Sequence, residues 1–335
     1  MAGGVWYVLR YLKIMKQHIS LTPLFVIVLF AMLACSAAAD TDTGIDDKDN
    51  TGINDKDNKE LEENGSGETD GYKVVWQDLF NDTELDTKSW YVEVNGDGGG
   101  NAELQYYRNE NISVGKEPVT ERNCLIITAK KENYNGKTAT SGRLNTRDGF
   151  TVTYGKIEAS IKLPKTADGL WPAFWMLGAD HAAVGWPKCG EIDIMEFGQA
   201  HGISGKIQDK YFNGALHWGP SWNNGAYPNY AMHYTSEYGL QDDFHLYTMI
   251  WDDKKISMFL DLDKDPDAKP YFEMNITDKT DDKSPGHYFH KDYFILLNLA
   301  VGGNFPGIWD IDKVTALSNG EAKMYVDYVK VYQKL

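Results

Sequence analysis

The sequence predicts an all-β protein, a sandwich of two packed antiparallel sheets, and three observations carry that prediction. Beyond the first forty residues, helical periodicity is scarce. Several runs alternate apolar and polar side chains with period two, as a half-buried strand requires. Trp, Tyr, Phe, Gly and Asn are abundant, which suits twisted strands joined by tight turns. No break in composition divides residues 72–335, so a single domain is expected there.

Strands are expected at 74–76, 125–128, 150–154, 156–163, 191–197, 214–218, 244–251, 256–262, 293–301 and 324–332. Alternation is clearest at Ile157, Ala159, Ile161 and Leu163, with Lys156, Glu158, Ser160 and Lys162 between them. Ile256, Met258, Leu260 and Leu262 repeat the pattern.

Residues 1–35 read as an export signal. Arg10, Lys13 and Lys16 precede an apolar run from Leu21 to Ala34. At about 14 residues this run is short of the roughly 20 that a spanning helix needs. It ends in Met32-Leu33-Ala34-Cys35-Ser36, similar to a bacterial lipobox with Met in place of the usual Leu. Cys35 is the expected lipidation site, so the chain is expected to be exported and lipid-anchored at the cell envelope, at the outer membrane or cell surface. An ordinary cleavable signal is the competing reading. Residues 36–71 form an acidic, flexible tether with a near-repeat, Thr43 to Asn50 and Thr51 to Asn58. It has too few apolar side chains to offset its ordering entropy. Its Asp-rich spacing lacks the flanking helices of an EF-hand. In an oxidising compartment Cys124 and Cys189 could pair, but buried free thiols are the stronger expectation.

The formal net charge of -16 argues against nucleic acid and for a neutral or basic substrate. A monomer is expected.

Chemistry concentrates in Gly190-Glu191-Ile192-Asp193-Ile194-Met195-Glu196-Phe197. On a strand, Glu191 and Asp193 share one face while Ile192 and Ile194 enter the core. Strict alternation would bury Glu196, and a lone buried carboxylate is costly. One extra residue near Ile194 or Met195, a β-bulge, would return Glu196 to the acidic face. The two Glu backbones would then lie roughly 13 Å apart. Their side chains, leaning together, could close the carboxyl gap to about 5 Å, the spacing of retaining glycosidases. Asp193 between them would hold both in place, and its negative charge would help keep one partner protonated. An exposed acidic face is the alternative, yet no base interrupts these acids.

This stretch resembles the signature of glycoside hydrolase family 16, in the bulged form of laminarinase-like members. Further ordered matches are Asn101 to Tyr107, Ser141 to Leu144, Tyr154 to Ala159, Gly169 to Met176, Leu297 to Asn304 and Val326 to Tyr332. The resemblance covers residues 72–335. It implies a β-jelly roll with an open substrate cleft, Glu191 as nucleophile, Asp193 as supporting acid and Glu196 as acid/base. It also places Asn101, Glu103, Arg143, Trp171, Trp175, Asn298 and Trp309 along the cleft. Trp186 and Trp309 stand beside turn residues, which favours exposure. His217 and Trp218 are expected to face the same cleft from the next strand, with core packing the competing role for any single Trp. No His/Cys/Asp grouping has zinc spacing. No cofactor is required; some family members carry a structural calcium that uses the aspartate of the final strand, here Asp327.

The expected activity is endo-acting, retaining hydrolysis of a polysaccharide, β-1,3-glucan (laminarin-type) or mixed-linkage β-glucan. The aromatic segment 199–240 departs from plain laminarinases and raises an alternative, an endo-β-1,4-galactosidase on poly-N-acetyllactosamine or mucin-type O-glycans. A non-catalytic surface glycan-binding lipoprotein and a transglycosylase are the remaining alternatives.

Overall fold

The computed structural model describes Glu68, Thr69 and residues 71–335. Cys35, the export segment and nearly all of the tether lie outside the described residues. Glu68–Thr69 pairs with Tyr72 and Lys73, so the chain joins the sheet slightly before the expected start at Tyr72. Among the described residues no helix is long and apolar enough to cross a membrane.

Two sheets face each other. The larger has 11 strands, with the main order Phe272–Asn275, Lys255–Leu260, His245–Trp251, Gly155–Lys162, Glu321–Lys334, Asn123–Lys130, Ala139–Ser141 and Gln105–Tyr107. All its pairings are antiparallel except that of Gln105–Tyr107 with Ala139–Ser141. Glu321–Lys334 pairs with Tyr72–Asp78, Asn123–Lys130 and Gly155–Lys162. The smaller sheet has 7 strands, ordered Asn229–Thr235, Tyr211–His217, Glu191–Phe197, Leu170–Gly178, Tyr293–Val301, Arg143–Asn145 and Tyr91–Val92.

Period-two geometry assigns the two faces of the smaller sheet. In Tyr293–Val301, Ile295, Leu297, Leu299 and Val301 enter the core, while Phe294, Leu296, Asn298 and Ala300 line an open cleft. In Leu170–Gly178, Leu170, Phe174 and Met176 pack inward, and Trp171, Ala173, Trp175 and Leu177 look outward. The inward set meets Ile157, Ile161, Tyr247, Met249 and Met258 of the larger sheet. Each large apolar side chain so buried contributes about 1.5–3 kcal/mol.

Two differences from expectation have local causes. Residues 150–154 are not a strand. Val152 makes a single bridge to Tyr293, and Tyr154 adopts φ 64°, which breaks the extended run. Leu170–Gly178 is a full strand despite Pro172. Pro172 stands beyond the stretch paired to Glu191–Phe197 and opposite Leu299 only, so the missing N–H interrupts no ladder on its other side. Cys124 and Cys189 are buried free thiols, pushed up to about 12 by burial.

Candidate active site

The central strand Glu191–Phe197 carries the expected bulge. Asp193 faces Ala215 and Glu196 faces Asn213, so three steps on one strand match two on the other. On the other side Trp175 pairs with Asp193 and Phe174 with Met195, leaving Ile194 without an opposite residue. Ile194 and Met195 are both fully buried, and Glu196 therefore returns to the cleft face. The carbonyl of Ile194 accepts a hydrogen bond from the Tyr271 hydroxyl, which reaches across from beyond the sheet edge. Gly214, beside the bulge, leaves room for that ring: a Cβ there would lie 2.7 Å from Met258 Sδ and 3.2 Å from Tyr271 Cε2. Gly190 enters the strand at φ +75°, and a Cβ on it would strike the Tyr293 hydroxyl at 2.0 Å.

The register sets three cross-strand rows on the cleft face. Glu191 stands between His217 and Leu177, Asp193 between Ala215 and Trp175, and Glu196 between Asn213 and Ala173. Indole N–H groups tie the acids down. Trp186 Nε1 donates to Glu191 Oε2 at 3.1 Å and Trp171 Nε1 to Glu196 Oε1 at 3.0 Å, while Asn213 Nδ2 donates to Glu196 Oε2 at 2.9 Å. His217 Nε2 lies 3.2 Å from Asp193 Oδ2 and 4.0 Å from Glu191 Oε1. Asp193 Oδ2 is buried and makes no aligned hydrogen bond.

Three carboxyls in so dry a place cannot all ionise easily. Burial, then the charge of Asp193, push Glu191 up to about 8, with His217 opposing and Glu196 adding. Burial and then Glu196 hold Asp193 well above the usual carboxylate range. Glu196 is also raised by burial, against the pull of His217, Asn213 and Trp171. The three carboxyls thus share their charge, each raised by burial, and Glu191 and Asp193 also by the acids beside them.

The cleft measures about 1120 Å³. Its walls include Asn101, Glu103, Arg143, Trp171, Trp175, Trp186, His217 and Asn298, so these expected residues come together. Trp175 Nε1 donates to Asn298 Oδ1 at 2.7 Å, and Arg143 lies over the Trp175 ring, 4.7 Å from its centroid, while pairing with Glu93 at 3.1 Å. Glu103 is buried and accepts from Gln105 Nε2 at 2.5 Å and Tyr107.

Trp218 does not belong to this wall. It is 5% exposed, packs on Phe289 and donates to the Lys283 carbonyl. It directly follows His217, and neighbours on an extended chain turn to opposite faces. Trp309 is 59% exposed, and its Nε1 donates to Oδ1 of Asn304, which lines the cleft. The Asp327 carboxylate is paired with Arg122 at 2.8 Å, which puts a positive charge beside the expected calcium ligand. With that guanidinium against it, the Asp327 side chain does not fit a cation.

Several cleft residues escaped sequence reasoning. Asn213 sits in an unremarkable strand, and only its register opposite Glu196 marks it. Phe305 stacks on Trp171 with centroids 4.6 Å apart, and Glu93 pairs with Arg143; neither position carries a sequence signal. Tyr227, from the aromatic segment, packs edge-on against Trp186 at 4.6 Å and closes one side over Glu191.

Comparison with known proteins agrees with this geometry. The sequence pattern described as glycosyl hydrolases family 16 matches residues 106–271. The clotting factor G alpha subunit of Tachypleus tridentatus is 36% identical over 78% of the chain, and the chain spans 34% of its length, about a third. The beta-glucanase of Rhodothermus marinus is 33% identical over 78% of the chain and 85% of its own. The Bacteroides ovatus mixed linkage glucan GH16, solved in complex with a G4G4G3G product, is 39% identical with a TM-score of 0.67, over 77% of this chain and 100% of that one. With the bulged acidic strand at the floor of its cleft, the chain belongs to glycosyl hydrolase family 16.

Proposed function

We propose that the chain is an endo-acting, retaining β-glucanase that hydrolyses internal bonds of β-1,3-glucan or mixed-linkage β-glucan. The observation that carries this reading is the bulge at Ile194, which sets Glu191, Asp193 and Glu196 side by side on the cleft floor. An open groove lined by indole and amide side chains accommodates the middle of a long chain. Ring faces take the apolar sugar faces, and amides take the hydroxyls.

Glu191 acts as nucleophile at the anomeric carbon while Glu196 gives its proton to the departing glycosidic oxygen. Water then attacks the glycosyl-enzyme, and Glu196 takes the proton back. A proton held on Asp193 removes the nearest repulsion on Glu191. The Trp186 N–H and His217 then favour the Glu191 anion. As bond cleavage leaves Glu196 charged, the donors Trp171 and Asn213 are already in place to receive that charge.

Laminarin, barley β-glucan, keratan-like glycans and mucin, incubated separately and resolved by product length, test the substrate class. Mixed short oligosaccharides from either glucan, first released as the β-anomer by NMR, are expected. Release from mucin alone would replace the glucan with a galactose-containing chain. For the leader we infer lipidation at Cys35. Cys35→Ser should abolish fatty-acid labelling and move the protein from the membrane fraction to the soluble one.

A further inference from the structure

In sequence the acids and His217 lie far apart, with no spacing that would mark a metal centre. The register of Glu191–Phe197 on Tyr211–His217 puts His217 directly opposite Glu191. Donor atoms of Glu191, Asp193 and His217 then all lie within 4.8 Å of one another. The shortest pair is His217 Nε2 to Asp193 Oδ2 at 3.2 Å, followed by His217 Nε2 to Glu191 Oε1 at 4.0 Å. In a tetrahedral zinc site with bonds of about 2.0–2.1 Å, neighbouring ligand atoms stand about 3.3 Å apart. One edge already has that length, and the His217–Glu191 edge, at 4.0 Å, would have to shorten by about 0.7 Å.

A second observation points to a ligand. Asp193 is 4% exposed, and its Oδ2, turned toward His217, makes no aligned hydrogen bond. The nearest polar atom to it, His217 Nε2 at 3.2 Å, is out of line for a hydrogen bond, and a cation held between the two would satisfy both. One imidazole and two carboxylates suit Zn²⁺, Cu²⁺ or Ni²⁺ better than Ca²⁺ or Mg²⁺, which prefer all-oxygen shells. The remaining position would face the cleft, where water or a sugar hydroxyl can enter.

We propose that Glu191, Asp193 and His217 bind one divalent transition-metal ion of the Zn²⁺ type, and that its occupation blocks the cleft by engaging the Glu191 carboxylate. Binding stands on the geometry alone; the block of hydrolysis rests on the function proposed above.

The test uses the full chain, stripped with a chelator and titrated with Co²⁺ while visible ligand-field bands are recorded. One equivalent of bound Co²⁺ with four-coordinate bands, displaced by Zn²⁺, is expected. His217→Gln and Asp193→Asn should each weaken binding at least tenfold. Asp193→Asn removes a repulsive buried carboxyl, so it should fold, and thermal melting of both variants verifies this. In parallel, Zn²⁺ should inhibit laminarin hydrolysis reversibly, with recovery on adding EDTA. Absence of the bands, or bands undiminished in both variants as expected if the acidic tether bound the metal, would overturn the site. A chain that binds Co²⁺ in this way yet cleaves no glycan would overturn the hydrolase reading and leave the metal site standing.

Discussion

Replacing Glu191 with Gln should make the protein more stable, and the gain should grow with pH. Glu191 is raised from 4.5 to about 8. A carboxyl whose folded pKa lies above its unfolded one contributes stability in full below about 4.5 and loses it as the pH rises through 8. At about 1.4 kcal/mol per pKa unit, a shift of this size corresponds to an upper bound of about 5 kcal/mol above pH 8. Two features reduce it. The side chain keeps 17% exposure. A proton on Asp193 also removes the largest electrostatic contribution to the shift. A gain of about 2–3 kcal/mol at pH 9 remains, against close to none at pH 5, where acid and amide are both neutral. For a domain of this size each kcal/mol moves Tm by roughly 2–4 °C. Urea unfolding at fixed pH steps, followed by tryptophan fluorescence, gives the comparison directly. Hydrolysis should fall by roughly 10⁴-fold or more if the carboxylate is the nucleophile. A stability difference that stays flat between pH 5 and 9 would refute the buried-carboxyl argument, whatever happens to activity.

Tyr271→Phe leaves the Ile194 carbonyl without its donor. It should lower stability by about 1–3 kcal/mol in urea titrations and reduce kcat more than it raises KM, because the bulge sets the position of Glu196. Trp171→Phe removes a donor that favours the Glu196 anion, so the alkaline limb of the pH–rate profile should move upward; a limb that moves down would assign that titration to another group. Trp218→Phe should leave KM for glucan within about twofold while lowering stability by roughly 1–2 kcal/mol; a large change in KM would return Trp218 to the cleft.

The sandwich was legible because its strands alternate, and the bulge because strict alternation would have buried Glu196 alone. The three acids and most of the cleft tryptophans were named by the motif strand and by family resemblance. What was hidden depended on register. Asn213 and Glu93 are ordinary residues until a neighbouring strand sets them against Glu196 and Arg143. Trp218 misled because its neighbour His217 does face the cleft, and adjacency in sequence means opposition across the sheet. The protonation pattern was hidden for a different reason. It follows from how deeply the three carboxyls are buried together, which composition and spacing do not encode.

The strand Glu321–Lys334 joins three segments made much earlier in synthesis, 72–78, 123–130 and 155–162. Until 321–334 is in place, the larger sheet lacks its middle rung, and the smaller sheet has no complete layer to rest against. Closure of the sandwich therefore waits on long-range pairing, which is slow by the standards of proteins built from local contacts.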